Sequence, residues 1–215
     1  MKNVIFTSLA ACLVLVSGCR WPGIQGNGKI KTDERPVGAF ANIDVRGAFE
    51  IEWQNGAPSL QITTDENLLP YIDSGVSGDT LRLRTREQIR PSHSIKVVMS
   101  SPTRTGAKIS GAVKMAVKQL NGPRFAMESS GASRVSLDGN VDQFLADMTG
   151  ASKLAAAGLQ TKTAEISTTG AGDADVAVTE TLKVAITGAG KVTYTGNPPT
   201  IEKHITGAGS IRKKD

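Results

Sequence analysis

Hydrophobic and polar residues alternate along most of the chain after residue 36, and this period of two predicts β-strands rather than helices. In the second half, the alternation surrounds a recurring tripeptide in which glycine lies between serine or threonine and alanine. The glycines of its six copies are Gly111, Gly131, Gly150, Gly170, Gly188 and Gly207. They follow one another at steps of 20, 19, 20, 18 and 19 residues, and such regular spacing is typical of a repeat protein.

Each repeat predicts a strand, a tight corner at the glycine and a second strand. The residues four positions after the glycines are all apolar: Met115, Val135, Leu154, Ala174, Val192 and Ile211. One unit cannot bury its apolar face alone, whereas stacked units form a continuous core. The pattern therefore predicts an all-β, single-domain β-solenoid over residues 31–215, with rungs of about 19 residues. Crossover geometry favours a right-handed parallel β-helix.

The pattern is less regular at both ends of this domain. Residues 36–100 keep the alternation but have longer loops, and Arg46-Gly47-Ala48 resembles an early copy of the corner. Residues 67–72 are the best candidate for a helical turn or a broad loop. In the last rung, Lys203 and Lys213 occupy positions that are apolar in most other rungs. We expect this charge to block stacking onto another molecule.

The first residues have the layout of an export signal. Lys2 supplies the positive end, residues 4–16 form an apolar run too short to span a membrane, and small residues precede Cys19. The segment Val16-Ser17-Gly18-Cys19 fits a lipobox, so we predict a lipoprotein signal peptide over residues 1–18, lipid on Cys19 and a tether over residues 19–30. The alternative is an ordinary secreted protein with a stray cysteine near its cleavage site.

Cysteine usage and charge narrow the range of chemistry. Cys12 lies in the predicted signal peptide, so the processed chain would keep only Cys19 and could form neither an internal disulfide nor a cysteine-based active or metal site. The net charge of +5 is mild. Outside the cytoplasm we expect anionic lipid, lipopolysaccharide or glycan as partners rather than nucleic acid. Arg20, where Asp would favour retention in the inner membrane, favours the outer membrane, at its periplasmic face or at the cell surface.

The chain resembles the putative auto-transporter adhesin head GIN domain family. The resemblance rests on the repeats and on these segments: Gly26-Asn27-Gly28, Arg35-Pro36-Val37, Phe40, Ile43-Asp44-Val45, Gly47, Glu50-Ile51, Gln54-Asn55-Gly56, Asp65-Glu66-Asn67-Leu68-Leu69 and Leu81-Arg82-Leu83. It implies a β-helix-like solenoid and an envelope location. The family has no known catalytic residues, so adhesion enters as a hypothesis by association.

One column of charge is the leading candidate for a binding surface. The residues three positions after successive corner glycines are Lys114, Arg134, Lys153, Asp173 and Lys191, and stacking would align them on the outside. Lys114, Arg134, Lys153 and Lys191 form a possible stripe for anionic glycan or lipopolysaccharide. The alternative is a solvated face whose charges keep the sheet soluble.

Catalytic patterns are weak throughout the sequence. His93 and His204 have no nucleophile or carboxylate at a convincing spacing, so we expect solvated surface residues. Asp173 and Asp175 alternate outward in a way that could suit calcium, but the basic residues of the adjacent rungs disfavour it. We therefore predict no catalytic residue, no metal and no cofactor.

The sequence thus favours a non-enzymatic envelope lipoprotein that presents a rigid solenoid surface for binding, as an adhesin or a scaffold. A periplasm-facing protein for sensing or envelope maintenance, which binds a partner protein or an anionic envelope lipid or glycan, is the alternative. An enzyme that acts on polysaccharide comes third.

Overall fold

The computed structural model describes residues 23–214, so the predicted signal peptide and Cys19 lie outside the described residues. Apart from one 3-10 turn at Leu69–Tyr71, the regular elements are strands. In chain order they are β1 (Ile24–Gln25), β2 (Ile30–Glu34), β3 (Asn42–Gly47), β4 (Glu50–Asn55), β5 (Ser59–Asp65), β6 (Ile72–Ser77), β7 (Thr80–Thr85), β8 (Ile89–Arg90), β9 (Lys96–Ser101), β10 (Gly106–Gly111), β11 (Lys114–Gly131), β12 (Arg134–Gly150), β13 (Lys153–Gly170), β14 (Asp173–Gly188), β15 (Lys191–Thr195), β16 (Thr200–Gly207) and β17 (Ser210–Lys213). No helix within residues 23–214 is long and apolar enough to cross a membrane.

Residues 106–213 form the regular part of a β-solenoid of about five turns, with rungs of about 20 residues. Strands β10 to β14 each pair in parallel with the next, and β15 to β17 complete the stack. The corner glycines pair in register, from Gly111 beside Gly131 to Gly188 beside Gly207. The predicted all-β solenoid and its rung length are confirmed.

The corner glycines satisfy two requirements at once. At Gly150 the φ angle is +101°, a conformation that side chains strongly disfavour. A Cβ atom there would lie 2.6 Å from the carbonyl oxygen of Gly131 in the previous rung. That carbonyl also accepts a hydrogen bond of 2.9 Å from the amide of Ala151, which joins successive corners. Glycine therefore serves both the turn and the close approach of the stacked backbones.

The N-terminal region builds its rungs out of chain order. Strands β3 and β4 form one rung with a corner at Gly47, whose φ is +135°, so the early copy of the corner predicted from Arg46-Gly47-Ala48 is confirmed. On one side this rung pairs with β7 and β9, and on the other side with β10 and β11. All four partners follow it in sequence, so the rungs within residues 36–100 do not stack in the order of the chain.

Antiparallel strands close this end of the solenoid. Strand β5 pairs with β9 and β2, and β6 pairs with β7, all in antiparallel fashion. The apolar residues that alternate along these strands, such as Leu60, Leu81 and Val97, are nevertheless buried, because alternation places side chains inward whichever direction the neighbouring strand takes. The helical turn predicted within residues 67–72 is confirmed by the 3-10 turn.

An aromatic stack fills the core where the two regions meet. The ring of Trp53 lies 6.1 Å from that of Phe40 and 6.4 Å from that of Phe125, which lies 6.4 Å from Phe144. Trp53 is fully buried, on the same face of β4 as the buried Ile51, and its indole nitrogen donates a hydrogen bond of 2.9 Å to Ser101 Oγ. Large rings thus join the irregular rungs to the regular ones.

The residue at the inward position beside the corner becomes smaller from the first rung to the last. The residues two positions after the corner glycine are Phe49, Val113, Ser133, Ser152, Gly172, Gly190 and Gly209. At the narrow end, a Cβ atom on Gly172 would lie 2.8 Å from Oγ1 of the buried Thr168. Small residues here make room for the larger side chain that precedes the corner.

Two segments that carry the family resemblance meet around Asp65. The Asp65 carboxylate accepts hydrogen bonds from the Gly28 amide at 2.6 Å, the Ser92 amide at 2.9 Å and the Ser92 hydroxyl at 2.8 Å. Nearby, Asn67 accepts a hydrogen bond of 3.0 Å from the Asn27 amide and donates one of 2.8 Å to the Gln25 carbonyl. From residue 24 onward, the segment predicted as a tether therefore packs against the domain.

Arginine side chains hold backbone carbonyls in the same region. Arg35 donates to the carbonyls of Leu69 at 3.0 Å and Ile72 at 2.6 Å and so fixes the 3-10 turn. Arg104 is 5% exposed and donates to the carbonyls of Lys118 at 2.7 Å and Gln119 at 2.6 Å. Gln119 has a φ of 53°, so Arg104 stabilises a bend of β11 in a conformation that is uncommon for a residue with a side chain.

Candidate binding surfaces

Strands β11 to β15 carry the predicted basic column. Lys114 pairs in register with Arg134, Arg134 with Lys153, Lys153 with Asp173, and Asp173 with Lys191. All five residues are exposed. We call these five residues the basic column. Because parallel neighbours lie about 4.8 Å apart, the charges stand in a regular row along the solenoid axis.

The row of outward positions that contains the basic column extends onto β4 and β9, where it includes an acidic residue. Glu50 lies in register between Lys114 and Lys96, and Lys114 Nζ is 2.7 Å from Glu50 Oε1. The hydrogen bond and the positive charge of Lys114 lower the pKa of the Glu50 carboxyl. Among the described residues, Arg134, Lys153 and Lys191 take part in no ion pair. The positive charge that no ion pair compensates therefore lies on β12, β13 and β15.

A shallow groove of about 380 Å³ runs beside the first part of the column. Its walls include the charged side chains of Glu52, Lys118 and Arg134 and the apolar side chains of Val98 and Ala116. It is open to solvent along its length, so it can hold part of an extended chain but cannot enclose a small molecule. Two of its lysines are paired with glutamates in the groove, Lys114 with Glu50 and Lys118 with Glu52.

Two other outward positions carry charge in cross-rung ion pairs. Lys162 Nζ lies 2.7 Å from Asp142 Oδ1, and Lys183 Nζ lies 3.2 Å from Glu202 Oε1 on the following rung. The hydrogen bond and negative charge of Asp142 raise the pKa of Lys162. Cross-rung pairs of this kind neutralise their own faces. The basic column is distinguished from them by its unpaired members.

A second charged surface lies at the N-terminal end of the solenoid. Arg46 on β3 and Arg82 and Arg84 on β7 line an open trough of about 580 Å³, together with Asp44 and Asp73. We call this surface the arginine trough. The alternation of Leu81-Arg82-Leu83 predicts that the arginines of β7 point outward. Sequence reasoning did not place β7 beside β3, the pairing in which Arg46 lies opposite Arg84.

His93 has a closer neighbour than its sequence position indicated. Its Nδ1 lies 3.0 Å from Ser92 Oγ, which itself donates to Asp65. In a nucleophilic triad the carboxylate orients the imidazole and the imidazole takes the serine proton. Here the carboxylate binds the serine directly, so the arrangement stabilises a loop and does not activate a nucleophile. His204 is exposed on the last rung.

The aspartates considered for calcium point outward from separate columns. Asp173 lies between Lys153 and Lys191, whereas Asp175 pairs in register with Ala155 and Thr193. Within residues 23–214, no group of three or more His, Cys, Asp or Glu side chains could hold a metal ion. The cations that flank Asp173 would also repel calcium.

Among residues 23–214, no strand or helix covers the last rung of the solenoid. Lys203 pairs in register with Val184 and Lys213 with Tyr194, so both occupy positions that are apolar on the preceding rung. Both are exposed, and Lys213 Nζ donates to Asn197 Oδ1 at 2.6 Å. Their role as a barrier to end-to-end stacking stays a prediction.

Comparison with known proteins identifies similar domains. The family model described as "Putative auto-transporter adhesin, head GIN domain" matches residues 39–198. A solved structure of a putative adhesin from Bacteroides fragilis is 23% identical with a TM-score of 0.74, and the match covers 89% of this chain and 100% of that one.

Two further solved structures share the fold. One is described as a putative lipid binding protein from Parabacteroides distasonis, at 22% identity and a TM-score of 0.60, over 90% of this chain and 100% of that one. The other, a putative adhesin from Parabacteroides merdae, is 20% identical with a TM-score of 0.57, over 90% of this chain and 99% of that one. No curated protein sequence matches the chain significantly. At these identities, the solved structures establish the fold alone.

Proposed function

Because the chain belongs to the putative auto-transporter adhesin head GIN domain family, we propose that it is a non-enzymatic binding protein of the cell envelope that presents one face of a rigid solenoid to its partner. The family has no known catalytic activity. The observation that carries the proposal is the basic column, in which Arg134, Lys153 and Lys191 are exposed and unpaired among the described residues. An anionic glycan or lipopolysaccharide would supply the missing negative charge.

Rigidity supports a binding role of this kind. Each regular rung is held to its neighbours by a parallel backbone ladder that runs through nearly the whole of β11 to β14. Side chains on such a ladder keep a fixed spacing, so little conformational freedom of the backbone is lost when a partner binds. A repeating polymer with a matching spacing of charges would gain most from this preorganisation.

Binding to the column can be tested with a matched pair of variants. Replacement of Arg134 and Lys153 by Ala should weaken binding to lipopolysaccharide or an anionic glycan at least tenfold and should reduce its salt dependence. The control replaces Arg124 and Lys31 by Ala, which removes the same charge from exposed positions outside the column. Equal affinity of the two double variants would reject the column as the binding site.

Anchorage is the second part of the proposal. Lipid on Cys19 would hold the domain to the membrane, in keeping with the lipobox at Val16-Ser17-Gly18-Cys19. Mass spectrometry of the processed protein should find a diacylated N-terminal cysteine, and Cys19→Ser should release an unlipidated protein. An N-terminus that begins after Cys19 would contradict the anchor.

Orientation separates adhesion from the alternative function. An adhesin must be digested by protease added to intact cells. Complete protection until the outer membrane is permeabilised would reject adhesion and favour the periplasm-facing alternative, in which the domain binds an anionic envelope lipid or a partner protein. That alternative is supported by the fold shared with the protein described as a putative lipid binding protein. Binding to vesicles that contain anionic lipid, weakened by the column variant, would support it further.

A further inference from the structure

The arginine trough contains positive charge that the fold itself does not need. Arg46 and Arg84 lie directly opposite each other in the parallel register of β3 and β7. Like charges in this position repel one another and destabilise a sheet. Each guanidinium turns to a carboxylate instead, Arg46 to Asp44 at 3.3 Å and Arg84 to Asp73 at 3.5 Å.

Arg82 completes the trough and has no side-chain partner in the part of the chain that the structure describes. Asp44 is in register with Arg82 but pairs with Arg46, and Asp73 is shared between Arg84 and Arg86. Among residues 23–214, Arg82 accordingly forms neither an ion pair nor a side-chain hydrogen bond. An exposed guanidinium between two occupied carboxylates is available to an external anion.

A glycine opens the space beside this side chain. Gly75 on β6 is the antiparallel partner of Arg82, and a Cβ atom at Gly75 would meet nothing within 4 Å. The trough of about 580 Å³ therefore extends over Gly75. The trough is open to solvent, so it can contact one face of a sugar residue without enclosing it.

We propose that the arginine trough binds the negatively charged group of an acidic saccharide. Guanidinium groups recognise carboxylate and phosphoryl oxygens through paired hydrogen bonds, and Arg82, Arg84 and Arg46 offer such donors. Asp44 and Asp73, which point into the same trough, accept hydrogen bonds from sugar hydroxyls. This proposal rests on the proposed binding function. It adds a subsite for one acidic sugar residue at the N-terminal end of the solenoid, separate from the basic column.

The test uses the full chain, calorimetric titration and three probes. A tetrasaccharide of glucuronic acid carries carboxyl groups, glucose 6-phosphate carries a phosphoryl group, and a neutral glucose tetrasaccharide carries neither. We expect one or both acidic probes to bind more tightly than the neutral one, with affinity that falls as salt is added. The stronger acidic probe identifies the group as carboxyl or phosphoryl. Equal affinity for all three, or no binding, would overturn the proposal.

Two variants assign the binding to the trough. Arg82→Ala removes the unpaired guanidinium and should weaken acidic-probe binding about tenfold or more. Gly75→Leu leaves every charge in place but fills the trough, and should weaken binding to a similar extent. Arg124→Ala, which removes the same charge from another exposed strand position, should bind as the unaltered chain does.

The outcome separates this subsite from the basic column. If Arg82→Ala and Gly75→Leu bind normally while the Arg134 and Lys153 double variant does not, the trough is rejected and the column stands. If the trough variants lose binding of the acidic probes and the column variant keeps it, the subsite stands, and the column is judged separately by lipopolysaccharide binding of its own double variant. Far-ultraviolet circular dichroism of each variant verifies that the solenoid is intact.

Discussion

In residues 106–213 each rung follows the previous one in chain order, whereas in residues 42–101 the chain places its first rung between strands that come later. The regular part repeats one solution, a glycine corner stacked on a glycine corner. The irregular part has one such corner, at Gly47, and relies on individual contacts of Trp53 and Asp65. In the regular part, the stacked corners thus restrict the backbone conformation. In the irregular part, the packing of the rungs depends on contacts of particular side chains.

The two regions also differ in the kind of polar side chain that they bury. In the irregular part, buried charge is matched by backbone groups, as with Asp65 and the amides of Gly28 and Ser92. In the regular part, buried polar side chains are hydroxyls, as in the hydrogen bond of 2.8 Å between Ser129 and Ser152. Charge that loses its partners is costly to bury, while a hydroxyl costs less. Single substitutions should therefore be felt most in the irregular part, except at the corners.

The largest effect is expected from Trp53→Ala. Loss of the buried ring leaves a cavity at the junction of the two regions and should lower the free energy of unfolding by about 4 kcal/mol. Trp53→Phe keeps most of the packing, loses the hydrogen bond to Ser101 and should cost about 1–2 kcal/mol. Urea unfolding followed by circular dichroism measures both. A loss below 1 kcal/mol for the alanine variant would contradict a supporting role for the aromatic stack.

The corners are tested by a pair of glycine variants. Gly150→Ala meets both an unfavourable φ and the Gly131 carbonyl oxygen, and should cost about 3 kcal/mol. Gly78→Ala, in the β6–β7 turn, has a φ of +63° but open space around its Cβ position, and should cost about 1 kcal/mol. Thermal unfolding compares the two. Equal losses would mean that conformation alone, rather than the close approach of rungs, accounts for the corner glycines.

Acid should loosen the irregular part first. Burial raises the pKa of the Asp65 carboxyl, but hydrogen bonds from Ser92 and Gly28 outweigh it and hold the pKa below its ordinary value. A carboxyl with a lowered pKa in the folded state stabilises the fold above its unfolded-state pKa, and this contribution is lost as the pH falls through the folded-state pKa.

Asp65→Asn should cost about 2 kcal/mol at neutral pH, because a charged acceptor is replaced by a group that also brings an N–H donor. Its melting temperature should then vary less between pH 6 and pH 2 than that of the unaltered chain. Glu66→Gln, at an exposed neighbouring acid, is the control. Parallel curves for Asp65→Asn and the unaltered chain would show that another carboxyl governs acid sensitivity.

The smallest effect is expected on the surface. Lys114→Ala removes an exposed ion pair with Glu50 and should cost about 0.5 kcal/mol at low salt, with the difference disappearing at high salt. The same substitution should return the pKa of Glu50 towards its ordinary value, which nuclear magnetic resonance titration can follow. A persistent loss at high salt would indicate that the lysine stem, rather than its charge, stabilises the sheet.

The regular part could be predicted from the sequence because each of its features repeats. Six corner glycines set the rung length, and the residues four positions later set the inward face. The register between rungs then follows, since only one register superimposes both the corner glycines and the inward residues of successive rungs. The outward alignment of Lys114, Arg134 and Lys153 is a consequence of that register.

The irregular part could be predicted only in its local pattern. Alternation identifies Leu81 and Leu83 as inward residues, but it is the same for parallel and antiparallel neighbours and does not tell which strand lies beside β7. The arginine trough depends on that neighbour, because Arg46 and Arg84 are far apart in the sequence. The contact of Gly28 with Asp65 likewise brings together two family segments that no periodic pattern links.

The position of the rung at residues 42–55 affects how the chain can fold. A solenoid whose rungs lie in chain order can grow by adding each new rung to the one just completed. Here, the first rung to leave the ribosome has no parallel neighbour until β7 and β9 have been made, and its other side stays open until β10 and β11 follow. Contacts of such long sequence separation form slowly. The nascent chain must therefore be made as far as Val117 of β11 before the rung at residues 42–55 is enclosed on both sides.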